Sequence, residues 1–334
     1  MRWAARERDP IRPWYEAIEA EGDYHTFRFC RVTPDDRVEW HRVSHKRHDG
    51  IGGFVHLLRA KGIDPVLPRG LSRGPRPSWW PFLRGLPAFL APRRGLAWRA
   101  GLRVGAAPEA GALPDPAAAW HVCSQAETDA LRAASRSAGV TLNTFLLKHL
   151  DVAVRGDLAD SAATIPWMVP VNLRGRIHRA DDTSNHSSFL SVRVSPQSSL
   201  REVHADVQQG LAGGAHWGPW KTYAATQWLP QWLKRRIVRA DRVITPWHFG
   251  LFSNLGEWDA AHAIRHAEVG GAWVLMATVL RCQPVGAAAM TFQGRLGLSI
   301  QVHPTLTRLA AVPRGWMAKW LAGAHAAIDA PVAV

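Results

Sequence analysis

Apolar residues recur along the chain with two spacings, and these predict a mixture of helices and strands. Residues 51–61 carry apolar side chains at helical spacing and are followed by Gly62, a residue type that commonly ends helices. Residues 24–32 and 37–44 are strand-like, and the turn residues between them predict a hairpin. Further strands are expected at about 120–123, 163–171, 188–195, 247–254, 272–280, 285–292 and 295–302. Helices are expected at about 11–21, 124–137, 200–213, 222–239 and 306–327, and another helix is expected to begin at about residue 141.

Strands and helices are mixed without strict alternation, so the pattern favours an α/β fold with mixed sheets over a doubly wound parallel sheet. No internal repeat is present. Residues 63–118 are rich in Pro, Trp, Arg and Gly, which disfavours regular structure and predicts a connection between two lobes. We therefore expect an N-terminal lobe at 1–62, this connection at 63–118, and a C-terminal lobe at 119–334.

The composition is that of a folded protein with a large basic surplus. Hydrophobic residues make up 47% of the 334 positions, and 41 Lys and Arg against 27 Asp and Glu give a net charge of +14. Such a surplus favours anionic partners, which include a phosphorylated cofactor, an acidic carrier protein, an anionic membrane and nucleic acid. It does not choose among them, and a compositional bias toward Arg explains it equally well.

The three cysteines are scattered singly, which is typical of a reducing compartment. The sequence shows neither an apolar leader nor a run of about 18 apolar residues. We therefore expect a cytoplasmic protein, either soluble or peripheral at the inner membrane surface. Aromatic and basic residues are interleaved at 79–84, at 93–98 and again at 228–236. This pattern suits an anionic membrane surface, and because no nucleic-acid-binding motif accompanies it, we expect no nucleic-acid partner.

The most informative segment is 43–53, where a predicted strand ends, His45 follows, and Asp49 and Gly50 lead into a helix. A histidine at a strand end is rigidly held yet accessible, and with an ordinary pKa of about 6.5 it can accept a proton at neutral pH. Asp49 can fix the turn by bonding backbone amides or an arginine, and Gly50 permits the tight path into the helix. His41, His45 and Asp49 are spaced four apart, but on a strand and turn they do not share one face, so no metal site is expected.

This segment is similar to the HxxxDG motif of the superfamily that contains chloramphenicol acetyltransferase, the condensation domains of peptide synthetases, the wax-ester and diacylglycerol acyltransferases and the plant acyl-CoA-dependent acyltransferases. Three further segments resemble that superfamily in the same order, and the resemblance spans roughly residues 25–327. They are 139–147 (GVTLNTFLL), 169–176 (VPVNLRGR) with 183–188 (TSNHSS), and 252–256 (FSNLG).

The resemblance implies two α/β lobes with a cleft or tunnel between them. It implies an acyltransferase in which His45 is the general base for a hydroxyl or amine acceptor. The acyl donor would be a thioester of coenzyme A or of an acyl carrier protein, with no acyl-enzyme and no bound cofactor. Asp49 would be mainly structural, with Arg174 as its partner. The expected substrate-binding residues are Gly50, Asn185, Ser253 and Asn254, of which the last two are candidates to steady the oxyanion, although Asn more commonly satisfies turn backbones.

Two departures from the superfamily's pattern leave other functions open. Ser44 stands where many members carry a second histidine, and the motif lies 45 residues from the start, where members carry a further strand, helix and strand. Such an abbreviated N-terminal lobe leaves a bare sheet edge, which we expect the 63–118 segment or a second copy in a homodimer to cover. The alternatives are a non-catalytic binding or scaffold protein with the same fold, and a basic, Trp-rich binder of membrane surfaces.

Overall fold

The computed structural model describes residues 9–23, 26–68, 115–158, 160–177, 179, 181–244, 248–258 and 270–329. The aromatic and basic stretches at 79–84 and 93–98, with most of the expected connection, lie outside these residues. The described strands are β1 (Thr26–Val32), β2 (Val38–Ser44), β3 (Ala117–Val122), β4 (Ile165–Asn172), β5 (Ser187–Val194), β6 (Gly250–Trp258), β7 (Ala272–Met276), β8 (Val285–Phe292) and β9 (Arg295–Val302). The described helices are α1 (Arg12–Ala20), α2 (Gly50–Ala60), α3 (Gln125–Ser137), α4 (Leu142–Arg155), α5 (Leu200–Ala212), α6 (Trp217–Thr226), α7 (Gln231–Ile244) and α8 (Ala311–Asp329).

The smaller sheet has three antiparallel strands in the order β2, β1, β7. The expected hairpin forms, and its register pairs Thr26 with Ser44. β7 comes from the C-terminal part of the chain and pairs along β1, with Cys30 opposite Val274. All five residues of β7 are buried, so its backbone groups need partners, which β1 supplies. The edge of β1 that we expected the 63–118 segment or a second copy to cover is therefore covered by β7.

The larger sheet has six strands in the order β3, β9, β8, β6, β4, β5. It is mixed: β6 runs parallel to both β4 and β8, and the remaining pairs are antiparallel. Helices α3, α4 and α8 pack together beside it, and Trp316 and Trp320 of α8 are buried in the same apolar cluster. The α/β class and the two-lobed architecture expected from the sequence are confirmed.

β7 also joins the two sheets. Side chains of β9 alternate between its two faces, so that Leu298 and Ile300 enter the helix-covered core while Ser299 and Gln301 face β7. The Ser299 hydroxyl donates to the carbonyl oxygen of Leu275, and the Gln301 amide donates to that of a residue just beyond β7. The smaller sheet is thereby held across one face of the larger sheet.

Two expected helices have different bounds. The helix expected at 222–239 is two helices, α6 and α7, because Pro230 disfavours helical backbone at Leu229. The last helix begins at Ala311 rather than at 306, since the preceding residues form a turn in which His303 Nδ1 lies 2.7 Å from Thr305 Oγ1. Among the described residues, no helix has both the length and the apolar character needed to cross a membrane.

Candidate active site

His45 follows the last residue of β2, so the hairpin register fixes the position of its backbone. Its imidazole stacks on the ring of Tyr15 from α1, with centroids 4.3 Å apart, and meets the ring of Phe27 from β1 edge-on at 5.3 Å. The side chain is half-buried, and its Nδ1 atom is shielded from solvent. The two aromatic rings therefore restrain the plane of the imidazole.

Asp49 is the N-cap of α2 and organises the turn after His45. Its Oδ1 accepts the backbone N–H of Gly52 at 2.7 Å, and its Oδ2 accepts the backbone N–H of His186 at 2.8 Å. The Arg174 guanidinium donates to both carboxylate oxygens, at 2.8 and 2.9 Å. The Arg174 and Asp49 side chains are only 8% and 5% exposed. Both carboxylate oxygens thus accept hydrogen bonds from protein groups, which suits a structural role better than proton transfer.

The loop between β4 and β5 clasps this turn. Besides binding Asp49, Arg174 donates to the carbonyl oxygens of Asp182 and Ser184 at 3.0 and 3.2 Å. Asn185 is fully buried, and its Nδ2 donates to the carbonyl oxygen of His45 at 2.8 Å. The larger lobe therefore fixes the backbone on both sides of the motif turn, and Asn185 acts on the main chain of His45.

Close packing of the same loop requires a glycine at the start of α2. A Cβ atom on Gly52 would overlap the backbone carbonyl oxygen of Thr183, which lies in that loop. A Cβ atom on Gly50 would instead meet the end of the Leu255 side chain at 2.7 Å, and a side-chain end moves more readily than a backbone. The strictest requirement for glycine in this turn is therefore at Gly52, two residues after the position singled out from the sequence.

Burial sets the protonation of the site. It holds the pKa of His45 below its ordinary value, an effect that the nearby negative charge of Asp49 only partly offsets. Burial alone would raise the pKa of Asp49, but the charge and hydrogen bonds of Arg174, together with two backbone amides, outweigh it and lower that pKa. At neutral pH the site consequently contains a neutral imidazole beside a carboxylate whose charge is balanced by Arg174.

A cavity of about 180 Å³ lies beside His45, between the two sheets. The smaller sheet contributes β1 and the residues around β7 to its lining, the larger sheet contributes β4 and β6, and α1 adds a further wall. Arg174, behind Asp49, does not line it. The structure brings together six of the residues singled out from the sequence, namely His45, Asp49, Gly50, Asn185, Ser253 and Asn254. Their roles in binding and catalysis stay predictions.

Ser253 and Asn254 reach the cavity from β6. The pairing of β6 with β8 is regular through Asn254 and then shifts before Glu257, which marks a bulge. The Asn254 Oδ1 atom accepts the backbone N–H of Gly256 at 2.9 Å, and Gly256 has a φ of 77°. Asn254 therefore holds the turn through its oxygen, and its amide nitrogen has no hydrogen-bond partner among the described residues.

Sequence reasoning missed the contribution of α1 to the cavity. The spacing of Ile11, Trp14, Tyr15 and Ile18 predicts one apolar helix face, and all four side chains line the cavity. Burial, followed by the effect of Tyr223, raises the pKa of Tyr15 above its ordinary range, so its hydroxyl stays protonated. The helical spacing was a usable signal for this face, but it does not say what the face covers.

Several solved structures share this fold. No protein-family model and no curated protein matches the sequence. The chain is similar to the condensation domain from Monacolin K polyketide synthase MokA, with a TM-score of 0.53 and 11% identity over 89% of this chain and 71% of that one. It is similar to the epimerization domain from the third module of tyrocidine synthetase B, with a TM-score of 0.51 and 11% identity over 88% and 70% of the two chains.

A third similar structure is polyketide synthase associated protein 5 from Mycobacterium tuberculosis, with a TM-score of 0.51 and 15% identity over 87% of this chain and 74% of that one. At such identities the likeness establishes the fold alone. The fold is that of the chloramphenicol acetyltransferase-like proteins, as the four ordered segments predicted.

Proposed function

We propose that this protein transfers an acyl group from a thioester to a hydroxyl or amine, with His45 as the general base. The observation that carries the proposal is the setting of His45. Its imidazole borders the cavity between the sheets, Tyr15 and Phe27 restrain its plane, and burial lowers its pKa. A neutral imidazole so placed can accept a proton at pH near 7.

In the proposed reaction, His45 takes the proton from the acceptor O–H or N–H while the acceptor atom attacks the thioester carbonyl carbon. A carbon–oxygen or carbon–nitrogen bond forms, and the carbonyl electron pair moves onto the oxygen. Collapse of this tetrahedral intermediate breaks the carbon–sulfur bond. The proton held by His45 then passes to the leaving thiolate, which restores the base, so the acyl group moves directly from donor to acceptor.

Ser253 and Asn254 are the proposed donors to the oxyanion. Both line the cavity with His45, and the Asn254 amide nitrogen and the Ser253 hydroxyl are donor groups. Donors that are fixed before the reaction stabilise the charge that develops on the carbonyl oxygen. The regular pairing of β6 with β8 through Asn254 holds this part of β6 in place, which supports such a role.

The lining of the cavity favours an uncharged acceptor and acyl chain. Asp49 is the only one of the described lining residues that is charged at neutral pH, and Arg174 balances that charge. The phosphates of a coenzyme A or carrier-protein donor would stay outside, where the surplus of +14 favours them. The similarity to synthase condensation and epimerization domains supports a carrier protein as a donor to be tested beside coenzyme A.

The test is a mass-spectrometric screen with acyl-CoA and acyl-carrier donors against a panel of neutral alcohols and amines. We expect an acylated acceptor together with an equal amount of released thiol. His45→Ala supplies the background, and His56→Gln, on the exposed side of α2, is the matched control with full activity. Absence of product with every donor, or equal product from His45→Ala, would favour the non-catalytic scaffold instead.

We also propose that α7 and the turn before it contact an anionic membrane surface. Trp228 and Trp232 are 69% and 65% exposed, and Arg236 is exposed beside them, whereas Lys234 is buried. Trp232→Ser should weaken sedimentation with phosphatidylserine vesicles, and added salt should weaken it further. Trp40→Ser, on β2 and 45% exposed, is the control that should leave sedimentation unchanged. Equal sedimentation of Trp232→Ser and the parent protein would refute this contact.

A further inference from the structure

A second group of chemically reactive side chains lies outside the cavity, where β3, α3 and α8 meet. His121 is on β3, and Cys123 follows the end of that strand two residues later, so the chain places them on the same face. Glu127 is in the first turn of α3, and His325 is near the end of α8. None of these four residues lines the cavity beside His45.

Three of these side chains converge on a small volume, and the fourth, His325, contacts one of them. His121 Nε2 lies 3.4 Å from Glu127 Oε1, and His325 Nε2 lies 2.8 Å from the same oxygen. The ligand atoms of His121, Cys123 and Glu127 are all within 4.8 Å of one another. Both Nε2 atoms are shielded from solvent, and among the described residues neither has a hydrogen bond of acceptable geometry despite these short distances. Two buried imidazole nitrogens thus point at one carboxylate oxygen without being satisfied by it.

The rest of the local structure leaves that oxygen available. The other Glu127 oxygen, Oε2, accepts the backbone N–H of Ser124 at 3.3 Å in the capping box that begins α3. The cap therefore holds the Glu127 side chain in place and leaves Oε1 toward the two imidazoles. Cys123 is fully buried.

We propose that His121, Cys123, Glu127 and His325 bind one divalent ion of the zinc class. Imidazole nitrogen, thiolate sulfur and carboxylate oxygen are the ligands that zinc prefers, and four protein ligands complete a tetrahedral shell. Ligand atoms bound at about 2.0–2.3 Å in that geometry stand roughly 3.3–3.8 Å apart. The ligand atoms of His121, Cys123 and Glu127 lie within 4.8 Å of one another, so shifts of about an ångström bring these three into that range. His325 contacts the set through Glu127 Oε1 and has to move further to complete the shell. The site is distinct from the His41, His45 and Asp49 set excluded from the sequence.

A closed four-ligand site of this kind is structural. It would tie the last turns of α8 and the start of α3 to the end of β3, an outer strand of the larger sheet. Such a tie stabilises the folded state because the ion binds the folded chain and not the separated ligands. Catalysis at His45 does not require it, so the two proposals stand or fall separately.

The experiment measures metal on the untagged full chain. We expect about one zinc per chain by elemental analysis, a rise in melting temperature on adding zinc to chelator-treated protein, and a thiolate-to-cobalt absorption band when cobalt replaces zinc. His121→Gln and His325→Gln, both at half-buried positions, should lose tight binding, and Cys123→Ser should lose the cobalt band. His45→Ala should bind zinc as the parent protein does.

Two matched controls separate the site from its surroundings. Cys282→Ser removes a thiol outside the cluster, and His149→Gln removes an imidazole that packs near Gly323 of α8 without joining the cluster. Both should keep the zinc and the cobalt band. If Cys123→Ser does not fold, the two His→Gln variants decide. The proposal would be overturned if zinc did not bind the parent protein, or if it bound His121→Gln and His325→Gln with unchanged affinity. Only histidine–carboxylate contacts would then remain.

Discussion

The two sides of the cavity are held in place by different kinds of contact. On the His45 side, the motif turn depends on a buried ion pair between Asp49 and Arg174, residues 125 positions apart in the chain. On the β6 side, Ser253 and Asn254 sit on a strand held by backbone pairing with β8 and by one turn. A network of charge-assisted bonds is lost as a unit when one member is removed, whereas a strand tolerates a changed side chain. Substitutions in the Asp49–Arg174 network should therefore affect stability, and those on the β6 side should affect mainly the rate.

The largest effect should come from His45 itself. His45→Ala should lower kcat by roughly 10²–10⁴-fold, the usual contribution of a general base, once an acceptor is known. The chain should remain folded because the Asp49–Arg174 pair stays intact. Measuring the rate and the urea unfolding of one preparation checks both the loss of activity and the retention of the fold. Near-full turnover by a folded His45→Ala protein would remove the base assignment.

The pH profile sharpens that test. Because burial lowers the pKa of His45, the neutral base persists to lower pH than for an exposed histidine. The acid limb of kcat/KM for the parent protein should therefore lie below about pH 6.5, the ordinary histidine value. Addition of imidazole to His45→Ala should restore part of the rate. An acid limb above the ordinary histidine pKa would point to a different base.

The next largest effect should be the loss of stability in Arg174→Ala. Leaving Asp49 buried and unpaired should lower the free energy of unfolding by about 3–5 kcal/mol. Arg12→Ala is the matched control, because its partner Glu16 forms an exposed pair, worth about 0–1 kcal/mol. Urea unfolding of the two variants tests this. Equal small losses would mean that the ion pair does not hold the turn.

Lowering the pH should reproduce part of the loss of stability expected for Arg174→Ala. The pKa of Asp49 is lowered in the folded state, so the stability that it contributes is fully present above its unfolded pKa of about 3.9. As the pH falls below that value, the unfolded chain binds the proton first. The contribution is therefore lost by the time the pH has fallen through the lower pKa of the folded state. Arg174→Ala should flatten this part of the stability profile.

The sequence predicted local features well and long-range pairing poorly, and the reason is physical. The β1–β2 hairpin and the helix after Asp49 depend on turn residues and spacing within a few positions. The pairing of β7 with β1 depends on two strands more than 200 positions apart, and nothing local in a five-residue apolar strand names its partner. In the site, the motif residues were found because they cluster in short segments. Tyr15 was missed because an apolar helix face does not identify the surface it covers.

On the β6 side, Ser253→Ala should separate rate from stability. If the hydroxyl donates to the oxyanion, its loss should lower kcat by about 10²–10³-fold. The free energy of unfolding should change by less than about 1 kcal/mol, because the pairing of β6 with β8 is made by the backbone. Ser187→Ala removes another cavity hydroxyl, at the start of β5, and serves as the control with little change in kcat. Unchanged kcat in Ser253→Ala would remove it from the oxyanion site.

The smallest effect we expect to resolve is at Gly52, and it tests whether the loop must approach α2 so closely. Gly52→Ala places a Cβ atom against the carbonyl oxygen of Thr183, so the loop that carries Arg174 has to shift, at a cost of about 1–3 kcal/mol. Gly315→Ala is the matched control, since that helical glycine is exposed with open space around its Cβ, and alanine there should add about 0.5–1 kcal/mol of stability. Because the shifted loop also binds the His45 backbone through Asn185, Gly52→Ala should lower kcat as well as the unfolding midpoint. A Gly52→Ala protein as stable as Gly315→Ala would show that the loop adapts freely, and the contrast between a tightly held His45 side and a tolerant β6 side would then disappear.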